Sequence, residues 1–201
     1  MIAVEVAPSW LQPFYEALIR GKMTVVKIFL EEHETSALTE RLNASGETAL
    51  MVAIKGGHGH IIDMLVRLTS QELLAFQDNS ETTALHAAAQ LDNVKAAQLL
   101  VDKNHKLLNI VGDGRLWPIH LAAIRGHREM TSYLFYVGMK DEFHSNLLKD
   151  STVGERLMLY LVTARFYGDP NGYLKYVFGK ILLHFRFDLV NFAKKTLPKF
   201  L

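Results

Sequence analysis

The stretch WPIHLAAIRGH at residues 117–127 has two earlier counterparts in the same chain. They are TALHAAAQL at residues 83–91 and TALMVAIKGGH at residues 48–58. The three copies begin 35 and 34 residues apart, and a further step of 36 residues back reaches QPFYEALIRGKMTVVKIFL at residues 12–30. Repetition at a fixed period of this size predicts stacked helical hairpins, and therefore an all-α fold.

Each copy carries the residue types that begin and end a helix. Thr48 and Thr83 stand where a hydroxyl can accept a hydrogen bond from the free backbone N–H groups of a helix start. Pro118 falls at the first helical position of the third copy, where a proline costs no hydrogen bond. Gly57 and Gly126 suit the left-handed residue that ends a helix. We therefore predict a short first helix, a turn and a second helix that runs back antiparallel.

The apolar residues of the copies predict one continuous core. Leu50, Leu85 and Ile119 occupy the same register and should point inward. The residues three positions further on are small enough for neighbouring helices to approach closely: Ala53, Ala88 and Ala122. We expect the hairpins to share a single hydrophobic seam along the stack.

These copies resemble the ankyrin repeat, whose signature is T-P-L-H-x-A at a period of about 33 residues. TALHAAA and WPIHLAAIRGH are close matches, whereas TALMVAIKGGH has Met51 in place of the histidine. The resemblance covers residues 12–136, about two thirds of the chain. The wording DGRLWPIHLAAIRGH at residues 113–127 is also similar to plant ankyrin proteins with a C-terminal transmembrane (PGG) domain, and no part of this sequence matches that domain. The plant resemblance implies a role in signalling or stress response.

The repeats organise most of the chain into an ankyrin-repeat solenoid. We predict an array over residues 12–166, with a degenerate fifth unit from Gly154 in GERLMLYLVTARF. The four preceding units lie near residues 12–45, 46–80, 81–114 and 115–150. Residues 167–186, which contain the turn signal GDPNG, are interpreted as an insertion within the fifth hairpin. Residues 187–201 are then either the second helix of the fifth unit or a C-terminal cap.

Composition narrows the possible functions. The chain of 201 residues has no cysteine, which excludes disulfides, thiolate zinc sites and cysteine nucleophiles and fits a cytoplasmic location. The formal net charge of +1 gives no general attraction to nucleic acid, so we expect no nucleic-acid partner. The N-terminus lacks the pattern of a secretory signal, and no uninterrupted apolar run of about 18 residues occurs.

The C-terminal part of the chain differs in charge from the rest. Residues 171–201 contain six basic residues and one acidic residue, a net charge of +5, together with several aromatic side chains. A basic aromatic helix can lie on an anionic membrane surface, which would make the protein a peripheral membrane adaptor. The other interpretation is a capping helix over the apolar face of the last repeat, because every solenoid needs such a cap.

The motifs that could carry chemistry have simpler structural interpretations. KGGHGH at residues 55–60 lacks the Lys-Ser/Thr of a phosphate-binding loop and falls at the turn between two helices. The carboxylates of EEHE at residues 31–34 are interpreted as a solvent-exposed loop after the second helix of the first unit. Four histidines recur at the repeat period, which is typical of a repeat-building residue: His86 with His120, and His58 with His127. We therefore expect no enzyme activity, no metal site and no cofactor.

A solenoid of helical hairpins offers an extended concave surface formed by its first helices and the turns between units. The sequence therefore predicts a monomeric, non-catalytic scaffold that binds another protein. The turns expected to meet the partner first are residues 43–47, 78–82 and 112–116. The candidate contact residues are Ser45, Glu47, Asn79, Glu81, Asp113, Arg115 and Trp117. Trp117 replaces the capping threonine, and it either packs beneath the adjacent hairpin or is exposed as a binding anchor.

Overall fold

The protein is a stack of helices, described for residues 9–138 and 151–164 of a computed structural model. Its helices are α1 (Gln12–Arg20), α2 (Met23–Thr39), α3 (Ala49–Gly56), α4 (Gly59–Leu68), α5 (Gln71–Leu74), α6 (Ala84–Gln90), α7 (Val94–Lys103), α8 (Pro118–Ile124), α9 (Arg128–Gly138) and α10 (Ser151–Thr163). Short 3-10 segments accompany them at Ser9–Leu11, His105–Asn109 and Asp113–Arg115. No β-strand occurs among the described residues, and the predicted all-α fold is confirmed.

The helices pair into hairpins that stack in two rows. α1 packs against α2, α3 against α4, α6 against α7, and α8 against α9. The first helices form one row in the order α1, α3, α6, α8 and α10, and the second helices α2, α4, α7 and α9 form the other. Each hairpin therefore contacts mainly its neighbours, which is the architecture of a solenoid.

One hydrophobic seam runs through the stack, as predicted. Leu50, Leu85 and Ile119 belong to a continuous buried cluster, with exposed fractions of 4%, 0% and 1%. The alanines that allow the first helices to approach closely are fully buried: Ala53, Ala88 and Ala122. Burying one such leucine stabilises the fold by about 2 kcal/mol, so the seam is a principal source of cohesion between successive hairpins.

The predicted threonine caps are present at the starts of α3 and α6. The Thr48 and Thr83 hydroxyls each accept a hydrogen bond from the backbone N–H three residues further on. Trp117 precedes α8 in a similar backbone conformation, but its indole has no oxygen that could accept such a bond. The Trp117 backbone N–H donates to Nδ1 of His120 at 3.0 Å, as the Thr83 N–H does to Nδ1 of His86 at 3.3 Å. The start of α8 therefore keeps the histidine bond of the repeat and lacks only the hydroxyl cap.

Left-handed residues end the first helices at a fixed position of the repeat. Gly57 and Gly126 have φ angles of 75° and 76°, as predicted. In the unit between them the same position is held by Asp92, with a φ of 56°. A side chain in this conformation is strained, because its Cβ lies close to the following carbonyl oxygen. This unit therefore keeps the turn without the residue that suits it best.

The acidic stretch EEHE does not form the predicted loop. Residues 31–34 lie inside α2, which continues to Thr39 through a kink at His33. Glu31 and Glu32 are exposed on this helix. Because glutamate favours helix and neither glycine nor proline interrupts the stretch, the second helix of the first unit runs further than the sequence interpretation allowed.

The C-terminal predictions fall only partly within the described residues. α10 covers the start of the predicted fifth unit at Gly154 and packs against α8. The proposed insertion at residues 167–186 and the segment at residues 187–201 lie outside the described residues, and the unit boundaries stay predictions. None of the described helices is both long and apolar enough to cross a membrane.

Candidate functional site

The turns between units are shaped by the residue at their first position. The Asn43 side-chain oxygen accepts from the backbone N–H groups two and four residues further on, at 3.1 and 3.2 Å. Asp78 repeats this arrangement in the next unit, with distances of 2.9 and 2.8 Å. The equivalent residue of the following turn is Gly112, whose backbone N–H donates to the Leu116 carbonyl at 2.7 Å. The second turn has the same backbone bridge, from the Asp78 N–H to the Thr82 carbonyl at 2.9 Å. Side chains therefore reinforce the first two of these turns, whereas the third has a glycine at the reinforcing position.

A left-handed residue occupies the tip of each of these turns. Gly46, Glu81 and Arg115 lie at equivalent positions and have φ angles of 74°, 55° and 59°. The charged side chains of Glu81 and Arg115 are exposed to solvent. Both are contact residues predicted from the sequence. Their backbone conformation recurs at the equivalent Gly46 and therefore belongs to the shape of the turn.

Hydrogen bonds tie each turn to the next. The Asn79 backbone N–H donates to the Ser45 carbonyl at 3.0 Å, and the Asn79 side-chain amide donates to the preceding carbonyl at 2.9 Å. The side-chain amide of Gln77 bridges its own turn at the Glu81 carbonyl (2.6 Å) and the following turn at the Val111 carbonyl (2.8 Å). The turns are therefore a connected row and not independent loops.

Two arginines extend this row of turns. Arg41 Nη1 donates to the carbonyls of Gly46 and Gln77, both at 2.6 Å. Arg156, on α10, donates from Nη1 to the Gly114 carbonyl at 2.9 Å. The side chains that brace the turns thus come both from within the row and from the helix that follows it.

His86 joins two units from a buried position. Its Nε2 lies 3.1 Å from the Leu116 carbonyl, and its Nδ1 lies 2.8 Å from the Thr83 hydroxyl. Because a carbonyl oxygen can only accept, Nε2 carries the ring proton and Nδ1 is the acceptor. Burial lowers the pKa of His86 from its usual 6.5 to about 4, so the ring is neutral at physiological pH.

Two further histidines link neighbouring units in the opposite direction along the chain. Nε2 of His58 lies 3.0 Å from the Ile19 carbonyl, and Nε2 of His127 lies 3.0 Å from the Gln90 carbonyl. The recurring histidines hold units together, as their spacing predicts. Among the residues that the structure describes, no group of histidine and carboxylate side chains is arranged to hold a metal ion.

A groove of about 340 Å³ lies between the row of turns and the first helices of the second, third and fourth units. Its walls combine side chains from the turns with side chains from α3, α6 and α8: Ser45, Asp78 and Asp113 on the one side, and Lys55, Gln90 and Leu121 on the other. We call this feature the inter-turn groove. Its position between the turns and the first helices makes it the candidate binding site.

The inter-turn groove brings together three of the predicted contact residues. Ser45, Glu47 and Asp113 all line it, and Ser45 and Asp113 are exposed. Glu47 is only 4% exposed, because its carboxylate forms an ion pair with Lys55 and accepts a hydrogen bond from the Asn43 side-chain amide at 2.7 Å. Glu47 therefore braces the wall of the groove from inside.

The other four predicted contact residues lie away from the groove lining. Asn79, Glu81 and Arg115 are exposed on the turns. Trp117 is 7% exposed, and its ring packs edge-on against that of His120 at a centroid distance of 6.2 Å. The structure therefore supports the packed interpretation of Trp117 and not the exposed anchor.

The helix side of the groove was missed by the sequence interpretation, which selected turn residues and Trp117. Lys55 and Gln90 lie on first helices, whose exposed face is known only once the neighbouring hairpins are in place. A signal is nevertheless present, because Ile19, Lys55, Gln90 and Ile124 recur at the repeat period and are all exposed. This exposed register runs along the row of first helices, beside the groove.

Comparison with known proteins agrees with the architecture. A family model of ankyrin repeats, in three copies, matches residues 14–111 and 68–144. Leucine-rich repeat serine/threonine-protein kinase 1 of Caenorhabditis elegans is 29% identical over 143 residues, which is 69% of this chain and 6% of that protein. An ankyrin repeat-containing protein of Arabidopsis thaliana is 30% identical over 98 residues, 47% of this chain and 19% of that protein.

A third similar protein is the nuclear factor NF-kappa-B p105 subunit of Mus musculus, 28% identical over 119 residues, which cover 59% of this chain and 12% of that subunit. The region shared with this chain is therefore at most 19% of any of these three relatives. Ankyrin repeats are a non-catalytic fold that binds other proteins, and over residues 14–144 this chain belongs to the ankyrin-repeat family.

Proposed function

We propose that this protein is a monomeric, non-catalytic scaffold that binds a protein partner through the inter-turn groove and the exposed tips of the adjoining turns. The groove is the observation that carries the proposal. It combines a concave shape, apolar side chains from the first helices and polar side chains from the turns. This mixture is typical of a surface that recognises a protein segment.

The fixed geometry of the turns supports this proposal. Arg41, Gln77 and Asn79 tie successive turns together through backbone carbonyls. Fixing the backbone of a mobile turn costs about 1–2 kcal/mol per residue. Because these turns are already held in place, binding of a partner does not incur this cost. The exposed residues Glu81 and Arg115 can then contact the partner as extensions of a rigid frame.

We further propose that the protein acts in signalling. Two of the relatives are, by name, a serine/threonine-protein kinase and a nuclear factor subunit. The similarity to an Arabidopsis thaliana ankyrin protein agrees with the resemblance of residues 113–127 to plant ankyrin sequences. Because each of these relatives shares only a small part of its length with this chain, their activities support no more than the general setting.

A substitution that fills the groove tests the proposal. Gln90 lines the groove at the end of α6, and a Gln90→Trp variant should block the groove. The hydrogen bond between His127 and the backbone carbonyl of residue 90 should be kept, because it does not use the side chain. Gln98 is exposed on α7 of the same unit and does not line the groove, so Gln98→Trp is a matched control. Proteins captured from cell extract by the parent and by Gln98→Trp, but lost with Gln90→Trp, support the proposal. Equal capture by all three proteins contradicts it.

A second candidate function is suggested by the basic charge of residues 171–201, whose net charge is +5. Attraction to anionic lipid would make the protein a peripheral membrane adaptor. Flotation with phosphatidylserine vesicles should then recover the full chain, and recovery should fall when the six basic residues are changed to glutamine: Lys175, Lys180, Arg186, Lys194, Lys195 and Lys199. Equal recovery of the two proteins excludes this function.

A further inference from the structure

The charged side chains that line the inter-turn groove are mainly acidic. Glu47, Asp78 and Asp113 contribute three carboxylates, against the single ammonium group of Lys55. Lys55 is already engaged in an ion pair with Glu47. Within the groove lining, the carboxylates of Asp78 and Asp113 are therefore left without an opposite charge.

The histidine in the groove lining does not offset this negative charge. His86 lines the groove, but burial keeps its pKa near 4 and its ring uncharged at neutral pH. Asp78 uses Oδ1 for both of its hydrogen bonds to the turn backbone, and no described residue is paired with its Oδ2. One carboxylate oxygen is thus available to a ligand even though the other holds the turn.

Apolar side chains lie beside these carboxylates. Met51, Ala87 and Leu121 come from three successive first helices, and Leu116 comes from the third turn. A surface that is apolar next to a pair of carboxylates suits a long basic side chain, because the methylene stem can pack on the apolar part while the charged head reaches the acids. A purely apolar side chain would leave the two carboxylates without a counter-charge, and an acidic side chain would be repelled by them.

We propose that the inter-turn groove receives an arginine or lysine side chain of the protein partner, with its charged head held between Asp78 and Asp113. This inference rests on the proposed function, since it names the chemistry recognised at the same site. A guanidinium group has five N–H donors and can bond two carboxylates at once, so arginine should be preferred to lysine.

The surroundings of the groove add a preference for neighbouring residues of the partner. Ile19 and Ile124 lie in the same register as Lys55 and Gln90, and they are 37% and 43% exposed. Because successive first helices stack about 10 Å apart, these apolar residues lie on either side of the groove. A partner segment with a basic residue between two apolar residues matches this order.

Asparagine substitutions remove the proposed charges without disturbing the turns. Asn43 already makes the bonds of the preceding turn that Asp78 makes in its own, so Asp78→Asn should keep the turn intact. Asp113 is exposed, and Asp113→Asn changes little besides its charge. The control variant carries Asp102→Asn and Glu129→Gln, which remove two exposed charges outside the groove.

The test is a selection of phage-displayed twelve-residue random peptides on the full chain, followed by affinity measurements with synthetic peptides. Peptides that lose binding to Gln90→Trp are assigned to the groove. We expect these peptides to share an arginine or lysine and to bind the Asp78→Asn, Asp113→Asn double variant about tenfold more weakly, as expected for the loss of hydrogen bonds to a charged group. The control variant should bind within about twofold of the parent, since exposed charges outside the site contribute little.

The outcomes separate this inference from the proposed function. Groove-binding peptides without a shared basic residue, or equal affinity for the parent and the double asparagine variant, overturn the inference and leave the proposed function standing. Peptides that bind Gln90→Trp as well as the parent count against both. If the selection yields no binder, titration with N-acetylarginine amide decides: shifts of the Thr82 and Gln90 backbone amide signals, absent with N-acetylglutamine amide, support the inference, and equal effects of the two compounds overturn it.

Discussion

Replacing His86 by methionine should remove a specific part of the pH dependence of stability. His86 is 1% exposed and bonds to Thr83 and to the Leu116 carbonyl. Met51 fills the equivalent position of the preceding unit, so the fold accepts methionine in this environment. At pH 7 the His86→Met variant should be less stable than the parent, because the Thr83 N–H and the Leu116 carbonyl lose a partner.

The size of the pH effect follows from the pKa of the buried ring. Burial lowers the pKa of His86 from 6.5 to about 4. As the pH falls below 6.5, the unfolded chain takes up a proton at this residue while the folded protein does not, so folding stability decreases. At about 1.4 kcal/mol per pH unit, the loss reaches about 2 kcal/mol at pH 5 and about 3 kcal/mol near pH 4. Well above pH 6.5 the ring is neutral in both the folded and the unfolded chain, and His86 causes no loss of stability.

Urea unfolding of the parent and of His86→Met at pH 7 and pH 5 measures this contribution. Other groups titrate in the same range in both proteins, so the informative quantity is the change in the difference between their free energies of unfolding. The parent should lose about 2 kcal/mol relative to the variant. His60→Met, an exchange at an exposed residue of α4, controls for the loss of one imidazole. Parallel pH profiles of the parent and His86→Met would refute the reasoning.

Three further substitutions test the backbone and the core, each by urea unfolding at pH 7. Asp92→Gly should raise the free energy of unfolding by about 1 kcal/mol, because Asp92 has a φ of 56°. The opposite exchange, Gly57→Asp, should lower it by a similar amount, and changes of the same sign in the two variants would contradict the explanation. Gly112→Ala should lower the free energy of unfolding by about 1–3 kcal/mol, because a Cβ there would lie 2.8 Å from Nε2 of His86. This loss should be smaller when His86 is also replaced by alanine, and an unchanged loss would point to another cause. Leu85→Ala should cost about 2–5 kcal/mol, and a loss below this range would mean that the seam is not the main source of cohesion.

The hairpin frame could be predicted from sequence because each of its signals is local. A threonine caps the helix that it precedes, a glycine ends the helix that it follows, and a leucine at a fixed period marks the inward face. Thr48, Gly57 and Leu85 all follow these rules in the structure. Three linked copies at one period made the alignment secure even where one signal was missing, as at Trp117.

The features that were not predicted depend on contacts between distant residues or on a balance of competing preferences. Asp92 adopts a conformation that suits glycine, since the turn is imposed by the helices on either side of it. Glu47 is buried and forms an ion pair with Lys55 of α3, a contact that the turn sequence alone does not indicate. The charges at residues 31–34 suit a solvated loop and an exposed helix equally well. These residues form a helix, as the high helix propensity of glutamate favours.

The turns also show how one segment can serve stability and recognition with different atoms. Backbone carbonyls and the oxygens of Asn43 and Asp78 carry the bonds that shape the turns and join them. The side chains of Glu81, Arg115 and Asp113 are exposed at the same turns. The side chains of Arg41, Gln77 and Asn79 add the bonds between turns. Because none of these bonds uses the side chain of Glu81, Arg115 or Asp113, the charges at those positions can differ from unit to unit while the frame stays the same. A solenoid built in this way can keep its architecture and still present a different charge pattern at every turn, which is the property that recognition of one partner requires.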